Sequence, residues 1–152
     1  MHDPSTLPVM VIDDEEHLRI TASQTLELGG YTPHCFESAE QALDALTPNF
    51  SGVIVSDIRM PGMDGMTLLR TLRERDPTLP IILITGHGDI STAVEAMRAG
   101  AWDFLEKPFA GDQLLDVVRR GIEKRQLSLE NGRLKAELEA QQAALGPRLV
   151  GR

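Results

Sequence analysis

The chain has 152 residues, a length that suits one domain with a substantial core plus a short appendage. Hydrophobic content of 41% and charged content of 25% are ordinary for a globular protein, and no apolar run approaches the roughly 18 residues of a membrane span. With 15 Lys and Arg against 23 Asp and Glu, the net charge of -8 argues against a nucleic-acid surface and leaves metal cations and protein partners.

Residues 1–8 lack a basic region followed by an apolar core, so they read as a flexible N-terminal arm and not a secretion signal, which points to the cytoplasm. Residues 9–12 form an apolar run broken by Asp13-Asp14-Glu15-Glu16, the pattern of a first strand; the latter two acids suit the first turn of a helix. Leu18, Ala22 and Leu26 then recur every fourth residue, and Gly29-Gly30 supply a left-handed stop. Residues 31–36 predict a second strand, with Pro33 suggesting a sheet edge. Cys35 is the single cysteine, cannot form an internal disulfide, and reads as a small core residue. Ser38 and Gln41 form a capping box for a helix that ends before Pro48.

Residues 53–56 predict a third strand, buried on both faces and ending at Asp57, after which Met60-Pro61-Gly62-Met63-Asp64-Gly65 breaks into a turn. Leu68, Leu69 and Leu72 mark a third helix, and residues 80–85 the most apolar strand, ending in Thr85 before Gly86-His87-Gly88. Ala93, Val94, Ala96 and Met97 mark a fourth helix closed by Gly100; residues 101–106 predict a fifth strand ended by Lys107-Pro108, and the chain is helical again from Gln113. Strands and helices alternating at about twenty to thirty residues give the βαβ rhythm of an α/β doubly wound parallel sheet of five strands.

In such a sheet ligands gather at the carboxyl ends of the strands, and in a strand order 2-1-3-4-5 the switch point lies between strands one and three. Asp13 and Asp14 follow strand one, Asp57 strand three, Thr85 strand four and Lys107 strand five. Like charges at about 4 Å repel by roughly 1 to 4 kcal/mol per pair near a surface, so a positive group must compensate. A hard divalent cation with oxygen ligands, Mg²⁺, suits Asp14 and Asp57 as direct ligands, Asp13 through water, and the carbonyl of Arg59 as a further candidate. A carboxylate can act as a nucleophile toward phosphorus when a metal and a cation neutralise the phosphoryl oxygens, which would give Asp57, Lys107 and Thr85 their roles.

These residues resemble the receiver domains of two-component response regulators, a CheY-like, flavodoxin-like fold. The resemblance rests on Asp13-Asp14, on Asp57 with residues 60–65, on Thr85 and on Lys107-Pro108, and covers about residues 7–122. It implies the 2-1-3-4-5 order, phosphorylation of Asp57 by a sensor histidine kinase, an acidic pair in Asp13 and Asp14, and a cis Lys107-Pro108 bond. It also implies a switch through the Thr85 hydroxyl and the Phe104 ring. Residues 56–65, Thr85-Gly86-His87-Gly88-Asp89 and residues 100–109 look like the nitrogen-regulatory class, particularly the C4-dicarboxylate transport regulators. That class continues into an AAA+ ATPase acting on sigma-54 polymerase and then a DNA-binding domain. The tail 146–152 resembles the opening of that ATPase, so the chain reads as a receiver plus linker from a longer regulator, with no direct nucleic-acid binding and no membrane contact of its own. Trp102 and Gly86 depart from the commoner residues of the pattern, and Phe104 lacks the hydroxyl of a tyrosine.

The resulting organisation is an arm (1–8), a receiver domain (9–122), a linker or coiled-coil helix (123–145) and the start of a downstream domain (146–152). Leu127 and Leu134 stand seven apart, as do Asn131, Leu138 and Leu145, which predicts d and a positions of a two-stranded coil and hence a homodimer. Three rival readings stand beside this one. A haloacid-dehalogenase-type phosphatase needs an acid two residues after its nucleophile, where this chain has Arg59. An FMN-binding flavodoxin needs a Ser/Thr/Gly-rich loop where this chain has four acids. A degenerate receiver serving only as an interaction module predicts loss of site residues, and none is lost.

Overall fold

The computed structural model describes residues 7–145 apart from residue 87. Ten elements alternate: β1 (Pro8–Ile12), α1 (Glu16–Leu28), β2 (Thr32–Phe36), α2 (Ala39–Ala45), β3 (Val53–Asp57), α3 (Gly65–Arg75), β4 (Ile81–Thr85), α4 (Ile90–Arg98), β5 (Asp103–Glu106) and α5 (Gly111–Leu145). The strands pair in parallel in the order β2-β1-β3-β4-β5, the doubly wound sheet anticipated from the sequence. Residues 1–6 of the arm, His87, the tail 146–152 and the side chain of Leu145 lie outside the described residues.

The two-residue period of a strand divides each apolar run between two cores. Met10, Ile12, Ile54, Ile81 and Leu83 meet Leu68, Leu69 and Leu72 of α3 and Ala96 of α4. Val9, Val11, Val55, Ile82 and Ile84 meet Leu26 of α1 and Leu114, Val118 and Ile122 of α5. Covered on both faces, the three central strands read as near-continuous apolar runs and not as alternations.

The helix ends follow local chemistry. Ser38 Oγ accepts from the Gln41 N–H at 3.2 Å while Gln41 Oε1 accepts from the Glu37 N–H at 3.0 Å, a reciprocal cap displaced by one residue from the simple box. Asp64 Oδ1 accepts from the Thr67 N–H at 2.8 Å to start α3. At the end of α1 only Gly30 is left-handed, at φ 91, whereas Gly29 stays right-handed at φ -82.

One sequence expectation is corrected. Cys35 is exposed and not a core residue: β2 has a neighbour on one side only, its faces are incompletely covered, and the thiol lies 2.8 Å from the Ser23 hydroxyl. In α4 only Ala93 and Ala96 are buried, leaving Ile90, Val94 and Met97 exposed despite their apolar spacing. Pro33 does lie on the edge strand, paired with Val9, where its missing N–H has no further strand to serve.

α5 is one helix of 35 residues. Its first half packs on the sheet, its last buried side chain among the described residues is Arg125, and Leu127, Asn131, Leu134 and Leu138 are exposed beyond it. No helix of the described residues is long and apolar enough to cross a membrane.

Candidate functional site

Asp57 is the last residue of β3, between β1 and β4, and is 7% exposed. The chain after it folds back tightly: the Gly65 N–H donates to the Ile58 carbonyl at 2.8 Å, and a Cβ on Gly65 would stand 2.6 Å from the Asp57 carbonyl oxygen. Only a glycine lets α3 begin this close to the strand end. The Arg59 N–H points at Asp57 Oδ1 from 3.4 Å, so the turn partly satisfies one carboxylate oxygen.

The other oxygen meets Lys107, whose Nζ lies 3.0 Å from Asp57 Oδ2. Burial pulls the ammonium's pKa down, but the hydrogen bond and charge of Asp57, with Asp13 and Glu15, outweigh it and leave the group above its ordinary value. The Lys107–Pro108 peptide that follows is cis.

Asp13 leaves β1 with its N–H on the Phe36 carbonyl at 3.1 Å and its Oδ1 accepting from the Glu15 N–H at 2.9 Å. Burial pushes its carboxyl above the usual carboxylate range; the Glu15 bond opposes this, and the Asp57 charge adds to it. Asp14 is exposed, and carboxylate oxygens of Asp13, Asp14 and Asp57 lie within 4.8 Å of one another. Two buried acids and one exposed acid, all hard oxygen donors, with a single ammonium paired to Asp57, fit a small divalent cation.

The remaining sequence candidates are placed less directly. The Thr85 hydroxyl is buried at the end of β4 and donates to the Leu105 carbonyl at 3.4 Å. The Arg59 side chain extends to solvent, 3.5 Å from Asp89, so any part Arg59 plays at the acids falls to its backbone. Phe104 is 38% exposed and borders a groove of about 580 Å³ with Ile90, Val94 and Met97. A second cleft of about 540 Å³ opens beside Lys107, between Leu18, Thr21 and Ala22 of α1 and the Pro108-Phe109 connection. Leu127, Asn131, Leu134 and Leu138 lie well along α5, outside the strand-end cluster.

Two arginines escaped the sequence reading. Arg19 of α1 donates from Nη1 to the Asp13 carbonyl at 2.7 Å. Arg125 is 1% exposed; its Nε donates to the Phe50 carbonyl at 2.7 Å, its Nη1 to Thr78 Oγ1 at 2.7 Å and to Asp76 Oδ1 at 2.9 Å, and its Nη2 to Asp76 Oδ2. Position 125 continues the buried series Leu114, Val118, Ile122 at helical spacing, and that periodicity was the available signal.

Residues 9–119 match the family model described as the response regulator receiver domain. The chain is 55% identical over 144 residues to the C4-dicarboxylate transport transcriptional regulatory protein DctD of Pseudomonas aeruginosa, covering 95% of this chain and 31% of that protein. It thus spans about a third of the length of that relative. Among solved structures, the response regulator StyR aligns at TM-score 0.86 with 33% identity, covering 94% of this chain and 73% of that one. The beryllofluoride-activated NtrC4 receiver domain dimer aligns at TM-score 0.72 with 37% identity, covering 78% and 98% respectively.

Proposed function

Because the chain belongs to the response regulator receiver domain family, we propose that Asp57 is the phosphoryl acceptor of a two-component relay and that its modification sets the state of α4, β5 and α5. The observation that carries this is the buried Asp57 carboxylate, held at 3.0 Å by Lys107 beside two further carboxylates. In the transfer, an Asp57 oxygen forms the new bond to phosphorus while the phosphorus–nitrogen bond of a kinase phosphohistidine breaks. The leaving imidazole keeps the bonding electron pair. Asp14, Asp57 and the Arg59 carbonyl would hold Mg²⁺ directly and Asp13 through water, and the bound ion would offset the negative charge of the transferring phosphoryl oxygens.

The chain's own residues supply the rest. Lys107 already faces Asp57 Oδ2 and shifts its pairing to a phosphoryl oxygen. Thr85 must exchange the Leu105 carbonyl for a phosphoryl oxygen, and that exchange loosens β4 from β5 beside Phe104. Repacking of Phe104 into the groove along α4 then carries the change to the surface. The apolar cleft between α1 and Phe109 lies next to Lys107 and suits the docking of a sensor histidine kinase helix.

Leu127, Asn131, Leu134 and Leu138 pair with a second copy, and phosphorylation biases that pairing. In a longer cytoplasmic regulator of the kind its relatives represent, this switch controls a sigma-54 activator ATPase of the AAA+ type and, through it, a DNA-binding domain. The reading as an interaction module alone has less support, since Asp13, Asp14, Asp57, Thr85 and Lys107 are all present. Trp102 is the sole tryptophan and immediately precedes β5. Its fluorescence on adding Mg²⁺ and then beryllofluoride is expected to change in two separate steps. An unchanged spectrum together with no beryllofluoride uptake by fluorine NMR contradicts the proposal.

A further inference from the structure

Resting on the Mg²⁺ reading above, we propose that Arg19 is a positioning residue for the metal site, acting through the backbone of Asp13 and not through charge. Asp13 is held at three points. Its N–H donates to the Phe36 carbonyl at 3.1 Å, its Oδ1 accepts from the Glu15 N–H at 2.9 Å, and its carbonyl accepts from Arg19 Nη1 at 2.7 Å. The third bond fixes the peptide plane joining Asp13 to Asp14. That plane sets where the Cα of Asp14 points its side chain, and Asp14 is the exposed member of the three-acid cluster, without burial to hold it.

Arg19 is itself well placed for this task. Its side chain is 14% exposed, its far nitrogen sits 3.9 Å from Glu37 Oε1, and its own N–H continues the helix from the Glu15 carbonyl at 3.2 Å. It therefore ties α1, the β1–α1 turn and the start of the β2–α2 connection into one frame around the acids. Groups that orient a ligand without touching the metal typically cost ten- to a hundredfold in metal affinity when removed.

The sign of the effect separates positioning from electrostatics. A cation near the site repels Mg²⁺, so by charge alone, deleting Arg19 tightens binding. By positioning, deleting it weakens binding, and a lysine, which keeps the charge and one donor, restores part of it. The test is Mg²⁺ titration by calorimetry of the full chain, of Arg19→Met and of Arg19→Lys, with thermal melts in the absence of metal. Arg19→Gln replaces the methionine variant if that variant does not melt cooperatively. The expected result is a Kd raised about ten- to a hundredfold in Arg19→Met, partly recovered in Arg19→Lys, with labelling by a small phosphodonor returning to the unmodified rate at saturating Mg²⁺. Equal or tighter Mg²⁺ binding in Arg19→Met overturns the role of Arg19 alone, whereas no Mg²⁺ uptake by the unmodified chain overturns the metal reading beneath it.

Discussion

Replacing Arg125 with methionine keeps an apolar stem of similar length and removes the guanidinium that joins α5 to the amino-terminal side of the sheet. In the native chain that group satisfies the Phe50 carbonyl, the Thr78 hydroxyl and both oxygens of Asp76. Removing one partner of a buried pair costs about 3–5 kcal/mol, against about 0–1 kcal/mol for an exposed pair. The Asp76 side chain keeps 24% of its surface in water, so the expected loss lies near the lower figure, about 3 kcal/mol. At about 2–4 °C per kcal/mol for a chain of this size, the thermal midpoint falls by roughly 6–12 °C. Chemical denaturation gives the free energy directly, and hydrogen exchange should show faster exchange of α5 amides from about residue 122 onward, where the last anchor has gone. A loss below about 1 kcal/mol with unchanged exchange refutes the reasoning, because the arginine would then behave as a surface ion pair.

The same pair has a pH signature. Burial raises the Asp76 carboxyl, but the hydrogen bonds and charge of Arg125 outweigh it and hold the group below its ordinary value, so the stability it contributes is full above about pH 4 and is lost as pH falls through the lower folded value. The stability gap between the native chain and Arg125→Met should therefore be constant at neutral pH and narrow in acid; a gap that widens there contradicts the assignment. Lys107→Ala, which removes the cation paired with Asp57, should slow labelling by a small phosphodonor on the order of a hundredfold, while Thr85→Ala should still label but lose the Trp102 response. Equal loss of labelling in both goes against this division of roles. Sedimentation of the full chain and of a version ending at Ser128, which keeps Arg125, should show a dimer only for the longer one at concentrations on the order of tens of micromolar. Monomers throughout, with or without beryllofluoride, rule out pairing through Leu134 and Leu138.

The central strands were legible because residues 9–12, 53–55 and 81–84 are apolar without interruption, as strands covered on both faces must be. Asp13 and Asp57 stood out because each abruptly follows such a run, whereas Lys107 ends a shorter strand that carries Asp103 and Glu106 and stood out through the Pro108 break after it; parallel strands bring these carboxyl ends together. Cys35 misled because an edge strand can carry small apolar residues without covering them. Val94 and Met97 marked α4 correctly, but helical spacing marks a face without saying what lies against it, and both are exposed. The arginines were hidden for a different reason. Arg125 finds its partners 47 to 75 residues away, and Arg19 serves a backbone carbonyl, which carries no side-chain signature in any sequence. The hydrogen bond of Thr85 to Leu105 was equally out of reach, since it depends on which carbonyl of a neighbouring strand comes into register.

The central claim is that the Asp57 carboxylate is the phosphoryl acceptor. The full chain and Asp57→Asn are incubated with a small phosphodonor and Mg²⁺, and the products are mapped by mass spectrometry after borohydride reduction, which converts an acyl phosphate to an alcohol. The expected result is one phosphoryl group per chain, homoserine at position 57 after reduction, and no labelling of Asp57→Asn. Labelling that persists unchanged in Asp57→Asn, or that maps to another residue of the native chain, contradicts it.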